Sequence, residues 1–306
     1  MPGRWRRLGR LATDDGAPRW AVSHAALPAL APAPDGGWHL YFSPRDGEGR
    51  ARIARGRFSL DPAPTLDATE TVPVLDVGVL GAFDDRGVTM SSLVTMNGQT
   101  FLYYTGWTLG VTVPFYLAAG LAVCNDGVRF ERVSRAPVLD RNEVDPFLTA
   151  SPFVMIDEGM WRMWYVSGSA WDLVNGAPRH SYHIKYAESR DGVRWERDGH
   201  VCLDYASAEE YAFGRPFVRR DGNLYRMWYS YRGSRYRIGY AESQDGLSWT
   251  RKDQQGGLEP SGSGWDGEMV EYPWIFGSCG RDYMLYNGND YGASGIGLAV
   301  WEPRDE

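Results

Sequence analysis

YHIKYAESRDGVRWER, from Tyr182 to Arg197, decides the fold because the chain repeats it. Tyr236 to Arg251 reads YRIGYAESQDGLSWTR, and Leu117 to Arg132 gives a weaker copy, LAAGLAVCNDGVRFER. An alternating apolar run, Asp-Gly, two residues and then an aromatic spell a strand, a tight turn and a second strand. Recurrence along the chain makes this a structural repeat, and a repeat dictates architecture.

Working outward, the same parts recur in the same order. SPFVMIDEG (Ser151 to Gly159) and MWRMWYVSG (Met160 to Gly168) precede the first hairpin, and GRPFVRRDG (Gly214 to Gly222) and NLYRMWYSYRG (Asn223 to Gly233) precede the second. Val88 to Gly98 with Gln99 to Trp107 lead into the weaker copy. Glu271 to Gly280, Arg281 to Asp290 and Gly295 to Pro303 form a last unit that is short of an outer strand. Ser23 to Pro32, Gly37 to Pro44, Ala51 to Phe58 and Thr71 to Val79 form the first unit, and Arg4 to Leu11 alternates well enough to fill the last. The pattern predicts an all-β fold: a five-bladed β-propeller with four antiparallel strands per blade, its ring closed by an N-terminal strand in the last blade. Residues 1–306 are expected to form this single domain.

Composition agrees with that class. The 306 residues are 43% hydrophobic and 14% aromatic, enough for a large core, while 37 Gly and 18 Pro favour turns over long helices. The charge, 32 minus 39, is −7, which argues against nucleic acid or an anionic membrane as partner. The Arg-rich run Arg4 to Arg10 reads as the outer face of the closing strand. Cys124, Cys202 and Cys279 have no metal or redox spacing, so no cofactor and no metal are expected, a hydrated calcium on the axis near His24 being the one exception considered. MPGRWRRLGRLATDDG at the start lacks the apolar segment of a secretory signal, and no run reaches membrane-spanning length, so a cytoplasmic protein is expected. The oligomeric state is not legible.

The conspicuous S-x-D-G-x-x-W of Ser189 to Trp195 and Ser243 to Trp249 is read as scaffold. Asp caps the turn, Gly takes the positive φ and Trp packs between sheets. The aromatic rows MWRMWYV and YRMWYSY are likewise read as sheet core. Chemistry belongs on the opposite face, where the innermost strands begin and the second-to-third strand loops close over them. The strand starts supply His24, Asp85, Asp145, Ser151, Glu210, Arg215, Glu268, Glu271 and Tyr272. The loops supply Trp107, Trp171, His180, Tyr231, Arg232, Asn287, Asn289 and Tyr291. Rings, amides and guanidinium groups around an acidic funnel suit a polyhydroxylated ligand, and an anionic sugar would account for the arginines.

The repeated A-E-S-x-D-G-x-x-W hairpins and the steps Ser151-Pro152-Phe153, Arg215-Pro216-Phe217 and Tyr272-Pro273-Trp274 give the chain its family likeness. It resembles the five-bladed propeller glycosidases, the superfamily of glycoside hydrolase families 32, 43, 68 and 130, over almost its whole length. The resemblance implies a nucleophile or base Asp in the first blade, a second Asp in an Asp-Pro step and an acid Glu in a Glu-x-Pro step. Here Glu271-Tyr272-Pro273 resembles the last, though in the final blade, Asp145-Pro146 is an Asp-Pro step, and His24 stands where the first Asp would be.

These residues suggest a glycosidase-like enzyme acting on a sugar or glycoconjugate by carboxylate acid/base chemistry in the axial funnel. Glu271 is the expected acid, its pKa raised among aromatics, and Asp145 its partner, with Glu210 or Asp85 as substitutes. Arg215 would hold an anionic group. Glycosyl transfer or phosphorolysis on the same scaffold, and a non-catalytic carbohydrate-binding propeller, are the alternatives.

Overall fold

The computed structural model describes residues 3–13, 18–33, 35–61, 63–67, 69–125, 127 and 129–303. Asp126 and Val128 of the weaker repeat, and Met1, Pro2 and Asp14 to Gly16 of the stretch read for a signal, lie outside them.

Among the described residues the strands form four hydrogen-bonded sheets. The first runs Ala12–Thr13, Thr65–Asp67, Ala54–Ser59, Trp38–Arg45, Ser23–Pro32, and the second Glu131–Arg132, Phe115–Cys124, Gln99–Leu109, Gly87–Met96. The third takes Thr149–Asp157, Met160–Val174, Ala177–Ser189, Ala212–Asp221, Leu224–Arg232, Tyr236–Ser243 and Thr250–Arg251 in chain order. The fourth runs Gly3–Arg10, Ile296–Pro303, Arg281–Asn287, Glu271–Ser278.

This corrects the expected fold class of five uniform four-stranded blades in a closed ring. The sheets have five, four, seven and four strands, and none closes on itself. Two local causes account for the unevenness. The segment after Asp191-Gly192 is spent on turn hydrogen bonds and returns only as the isolated bridges Glu188–Glu196 and Lys185–Val201, so the first half of Ala177–Ser189 keeps a free edge. That edge meets Ala212–Asp221 through the single parallel pair Tyr182–Ala212, which fuses two units into one sheet. In the first sheet the outer strand is Thr65–Asp67 rather than Thr71 to Val79, and Ala12–Thr13 adds a parallel strand beside it.

The side-chain pattern explains which strands lie where. Gly3–Arg10 alternates, burying Trp5 against the rings of Trp228 and Trp301 while Arg4 and Arg6 turn outward to Glu302. Phe115–Cys124 is apolar almost throughout because both its faces are covered. The repeated turns are closed by their own side chains: Asp191 Oδ1 accepts the N–H groups of Val193 and Arg194 at 2.8 Å each, and Asp245 Oδ1 does the same for Leu247 and Ser248. Trp164 and Trp249 both donate to the Gly246 carbonyl: Trp249 closes its own turn, and Trp164, from Met160–Val174, ties that turn to the neighbouring strands.

The strands Ser23–Pro32, Gly87–Met96, Thr149–Asp157, Ala212–Asp221 and Glu271–Ser278 pack side by side around one axis in that order, and the last also touches the first. Four of them carry a bulge at an X-Pro step, at Leu27-Pro28, Ser151-Pro152, Arg215-Pro216 and Tyr272-Pro273, where the register skips. The residue before each Pro has positive φ, 58°, 48°, 28° and 58°. Such bulges re-aim side chains, here those at the axial ends of the inner strands. At three of these steps a side chain of the neighbouring sheet accepts the backbone N–H, Thr105 from Ser151, Ser230 from Tyr272 and Asn287 from Leu27, and Ser43 does the same for Met90 at the bulge of Gly87–Met96, each at 2.8 Å.

Candidate active site in the axial funnel

Several of the expected carboxylates belong to the scaffold. Asp145 is fully buried and takes the Tyr165 hydroxyl at 2.9 Å, the Ser167 hydroxyl at 2.6 Å, Lys185 Nζ at 3.1 Å and Arg197 Nε at 3.0 Å. The same clamp recurs elsewhere. Asp84 takes Tyr104 and Arg132 (3.0 and 2.8 Å), and Asp266 takes Tyr286 and Arg7 (2.8 Å each). Arg251 holds Glu210 at 2.6 Å and Asp253 at 2.8 Å, and Asp253 also accepts from Tyr229. Each clamp joins a second-strand Tyr, an acid and an Arg of the outermost segment. The sequence carries its signal: Arg132, Arg197 and Arg251 end the repeated hairpins. Glycines opposite these tyrosines make room for the rings, since a Cβ on Gly120 would sit 2.2 Å from Tyr104 Cζ.

Glu271 is different. It is 0% exposed, and neither of its carboxylate oxygens has a hydrogen-bond partner. It starts the innermost strand of the fourth sheet directly before the Tyr272-Pro273 bulge, so its side chain is fixed by backbone on both sides. Burial pushes its carboxyl well above the usual carboxylate range, against the Tyr272 hydroxyl, which approaches it without good hydrogen-bond geometry, and the charges of Arg232 and Arg45. Its surroundings are phenolic: burial also pushes up the Tyr236 and Tyr272 hydroxyls, with the Glu271 charge adding to both, so they stay protonated as donors.

Around Glu271 the structure gathers several expected residues. Arg232 Nη1 donates to the Tyr291 hydroxyl at 2.9 Å, and its guanidinium lies over the rings of Tyr211 and Tyr236. Asp290 and Tyr291 hold consecutive left-handed backbones, φ 58° and 57°, a strained geometry for non-glycine residues of the kind that collects at functional sites. His24 reaches Ser23 Oγ at 3.0 Å, and its pKa is lowered by burial and Arg45, with Asp290 opposing. A cleft of about 450 Å³ opens beside it between the first and fourth sheets. Arg215, 1% exposed, extends across the axis to the carbonyls of Tyr272 and Ser91, at 3.4 and 3.3 Å.

An aromatic wall continues from this group. His180 stacks on Tyr182 with ring centroids 4.0 Å apart, Trp171 and Trp107 both pack on Phe115, and Arg179 and Arg232 lie over Tyr211. Burial and the two arginines lower the His180 pKa to about 4, so it is neutral at pH 7. Tyr236, Arg45, Phe115 and Tyr211 were missed as site residues. Tyr236 and its counterpart Tyr182 begin the two strong repeats, and that shared position was the available signal.

Asn287 lies directly opposite Glu271 across the strand pair, but it is fully buried and spent on Leu27, Ala25 and Gly295. Other expected residues are engaged elsewhere: Asn289 clamps the N–H groups of Glu268 and Met269. Glu268 pairs with Arg235 at the surface, Tyr231 donates to Glu259, and Ser151 is half-buried at its bulge. Asp85 caps the Gly81 N–H at 2.9 Å, leaving Oδ1 without a partner. The position matching the X-Pro bulges in the first sheet is Leu27 rather than His24, because Leu27-Pro28 carries the register skip. Among the described residues no group of three or more His, Cys, Asp or Glu is placed to hold a metal, and no helix is long and apolar enough to cross a membrane. A larger groove of about 1210 Å³ lies between Arg4, Arg6 and the Ser278 to Arg281 turn and is lined by none of the funnel residues.

Comparison with known proteins places the fold. The chain superposes on a glycoside hydrolase with a TM-score of 0.76 and 16% identity, covering 100% of this chain and 94% of that one. A thermostable family-43 glycoside hydrolase gives 0.65 at 16% identity over 95% and 92% of the two chains. An endo-arabinase from Bacteroides thetaiotaomicron gives 0.60 at 14% identity over 94% and 96%. The fold is therefore one shared with these glycoside hydrolases and the endo-arabinase. No protein-family profile matches the chain. In sequence it is 41% identical over 298 residues to the uncharacterized protein Rv1502 of Mycobacterium tuberculosis, spanning 97% of this chain and 99% of that protein. With that identity over nearly its full length, the chain belongs to the Rv1502 family.

Proposed function

We propose that this protein is a glycoside-hydrolase-like enzyme acting on a sugar or glycoconjugate, with Glu271 as the proton donor to the glycosidic oxygen. The observation that carries the reading is a fully buried carboxyl with two unpartnered oxygens at the start of an innermost strand, among Tyr236, Tyr272 and Arg232. A carboxyl kept protonated by burial can donate a proton as the bond to the leaving oxygen breaks. Tyr hydroxyls give directed hydrogen bonds, and the Trp171 to His180 wall offers apolar faces for further sugar rings. The second carboxylate of a hydrolytic pair falls to Asp290, whose charge acts on His24 and which adjoins Tyr291. Asp145 and Glu210 are less suited, because Lys185, Arg197 and Arg251 already neutralise them.

That neutralisation also favours a second reading, phosphorolysis or glycosyl transfer, in which one protein carboxyl suffices and the acceptor is supplied by a ligand. Screening purified protein against aryl glycosides and oligosaccharides, with and without phosphate, tests both. Turnover lost in Glu271→Gln, with ligand affinity kept, supports the enzyme. A ligand bound equally by both proteins and never converted overturns it in favour of a carbohydrate-binding propeller.

A further inference from the structure

Two groups of arginines contrast in this protein. Those of the outer segments, such as Arg7, Arg132, Arg197 and Arg251, each meet a carboxylate within 3.0 Å. Arg45, Arg179, Arg215 and Arg232, around the funnel, form no ion pair with a described carboxylate, although the chain carries an excess of acid. Arg215 is the sharpest case. It is 1% exposed, its nearest acceptors are two backbone carbonyls at 3.3 and 3.4 Å, and its guanidinium sits 5.4 Å from the Trp274 ring centre. A guanidinium has five N–H donors in a planar fork, and two long bonds to neutral oxygens leave most of that capacity unspent. Burial without a counter-charge lowers even its pKa, to about 9. Burying a cation without a partner is among the costliest arrangements a fold can hold, so a retained one calls for an anion.

Arg232 also lacks an ion-pair partner among the described residues, although it is only half-buried and, against burial, the tyrosines around it raise its pKa. Its Nε is buried with no partner, and its one side-chain hydrogen bond goes to the neutral Tyr291 hydroxyl. The two arginines are linked through the site, Arg215 touching the Tyr272 backbone and Arg232 acting on Glu271.

We propose that Arg215 and Arg232 form an oxyanion-recognition site in the funnel, so that the ligand presents a carboxylate, sulfate or phosphate group. This rests on the reading of the funnel as a sugar site and names its substrate class. The anion is either a substituent of the sugar, as in a uronic acid, a sulfated sugar or a sugar phosphate, or free phosphate acting as acceptor. In both cases the fork geometry of guanidinium supplies paired, charge-assisted hydrogen bonds that a neutral hydroxyl cannot match. Electroneutral sites for plain sugars have no need of a buried, unpaired guanidinium.

The test is calorimetric titration of the full chain with glucuronate, galacturonate, glucose 6-sulfate and glucose 6-phosphate against glucose and galactose, and with inorganic phosphate and sulfate. At least one anionic class is expected to bind about ten-fold or more tightly than its neutral parent, the difference shrinking in Arg215→Met and in Arg232→Met and with added salt. Preference for sugar-borne anions assigns the charge to the substrate, and preference for inorganic phosphate assigns it to an acceptor. Equal binding of neutral and anionic sugars overturns the anion site and leaves the sugar reading intact, as does a preference that survives in both variants. Silence from every probe overturns it as well. Anion preference without turnover of any glycoside supports the site while sinking the catalytic reading. Arg232→Met keeps the question answerable should Arg215→Met not fold.

Discussion

Replacing Glu271 by Gln tests whether the buried acid is protonated, without needing to know the substrate. Glu271 is wholly enclosed with no partner for either oxygen, and burial raises its pKa above that of the same residue in the unfolded chain. A group shifted in this direction leaves stability intact below the unfolded value of about 4.3 and drains it as pH rises toward the folded value. Over that window the unfolded chain releases a proton that the native one keeps, at about 1.4 kcal/mol per pH unit. From pH 5 to pH 7 wild type should therefore lose stability relative to Glu271→Gln, which cannot ionise, by up to about 2.6 kcal/mol, the limit reached when the native carboxyl keeps its proton throughout. The amide has its own desolvation cost, but that cost is constant with pH, so the slope rather than the offset carries the result. Urea denaturation followed by tryptophan fluorescence at pH 5, 6 and 7 gives both curves. Parallel curves, or a wild type that gains on the variant with pH, would mean that Glu271 is ionised and compensated, and the argument for a proton donor would fall.

Asp145→Ala should destabilise the protein by about 3–5 kcal/mol, because it strands Lys185 and Arg197, while leaving ligand affinity of the folded fraction unchanged; a variant of normal stability but altered affinity would return Asp145 to the site. Gly120→Ala drives a methyl into the Tyr104 ring and should cost about 1–3 kcal/mol in chemical denaturation, with a neutral result refuting the clamp's tight fit. The His180 ring should show no NMR titration between pH 5.5 and 8, with its midpoint at about 4; a midpoint near 6.5 would mean that the aromatic wall is open to water.

The hairpins were legible because Asp191 and Asp245 act locally: an Asp-Gly step writes its own turn, and Trp249 closes its turn whatever lies beyond. Sheet membership was less legible, since the fusion of two units depends on the single Tyr182–Ala212 pair and the outer strand after Gly192 is lost to turn bonding. Carboxylates were misjudged for a related reason. Asp145 and Glu271 look alike in sequence, each beside a Pro step near an inner strand, and only the partners that the fold brings over Asp145, Lys185 and Arg197 among them, separate a scaffold acid from a naked one. Arg215 was recognised as a position but not as an unpaired charge, because absence of a partner is a property of the assembled axis.

The pairing of Gly3–Arg10 with Ile296–Pro303 has a consequence in time. During synthesis the earliest strand has no mate until the final strand leaves the ribosome, so Trp5 and Arg7 must wait in solvent, or under a chaperone, for nearly the entire translation. Contacts spanning almost the full chain are also the slowest to close. The sheet holding Glu271 is thus completed after the other three, and a nascent chain stalled before Ile296 would carry those three sheets while the one holding Glu271 stayed unfinished.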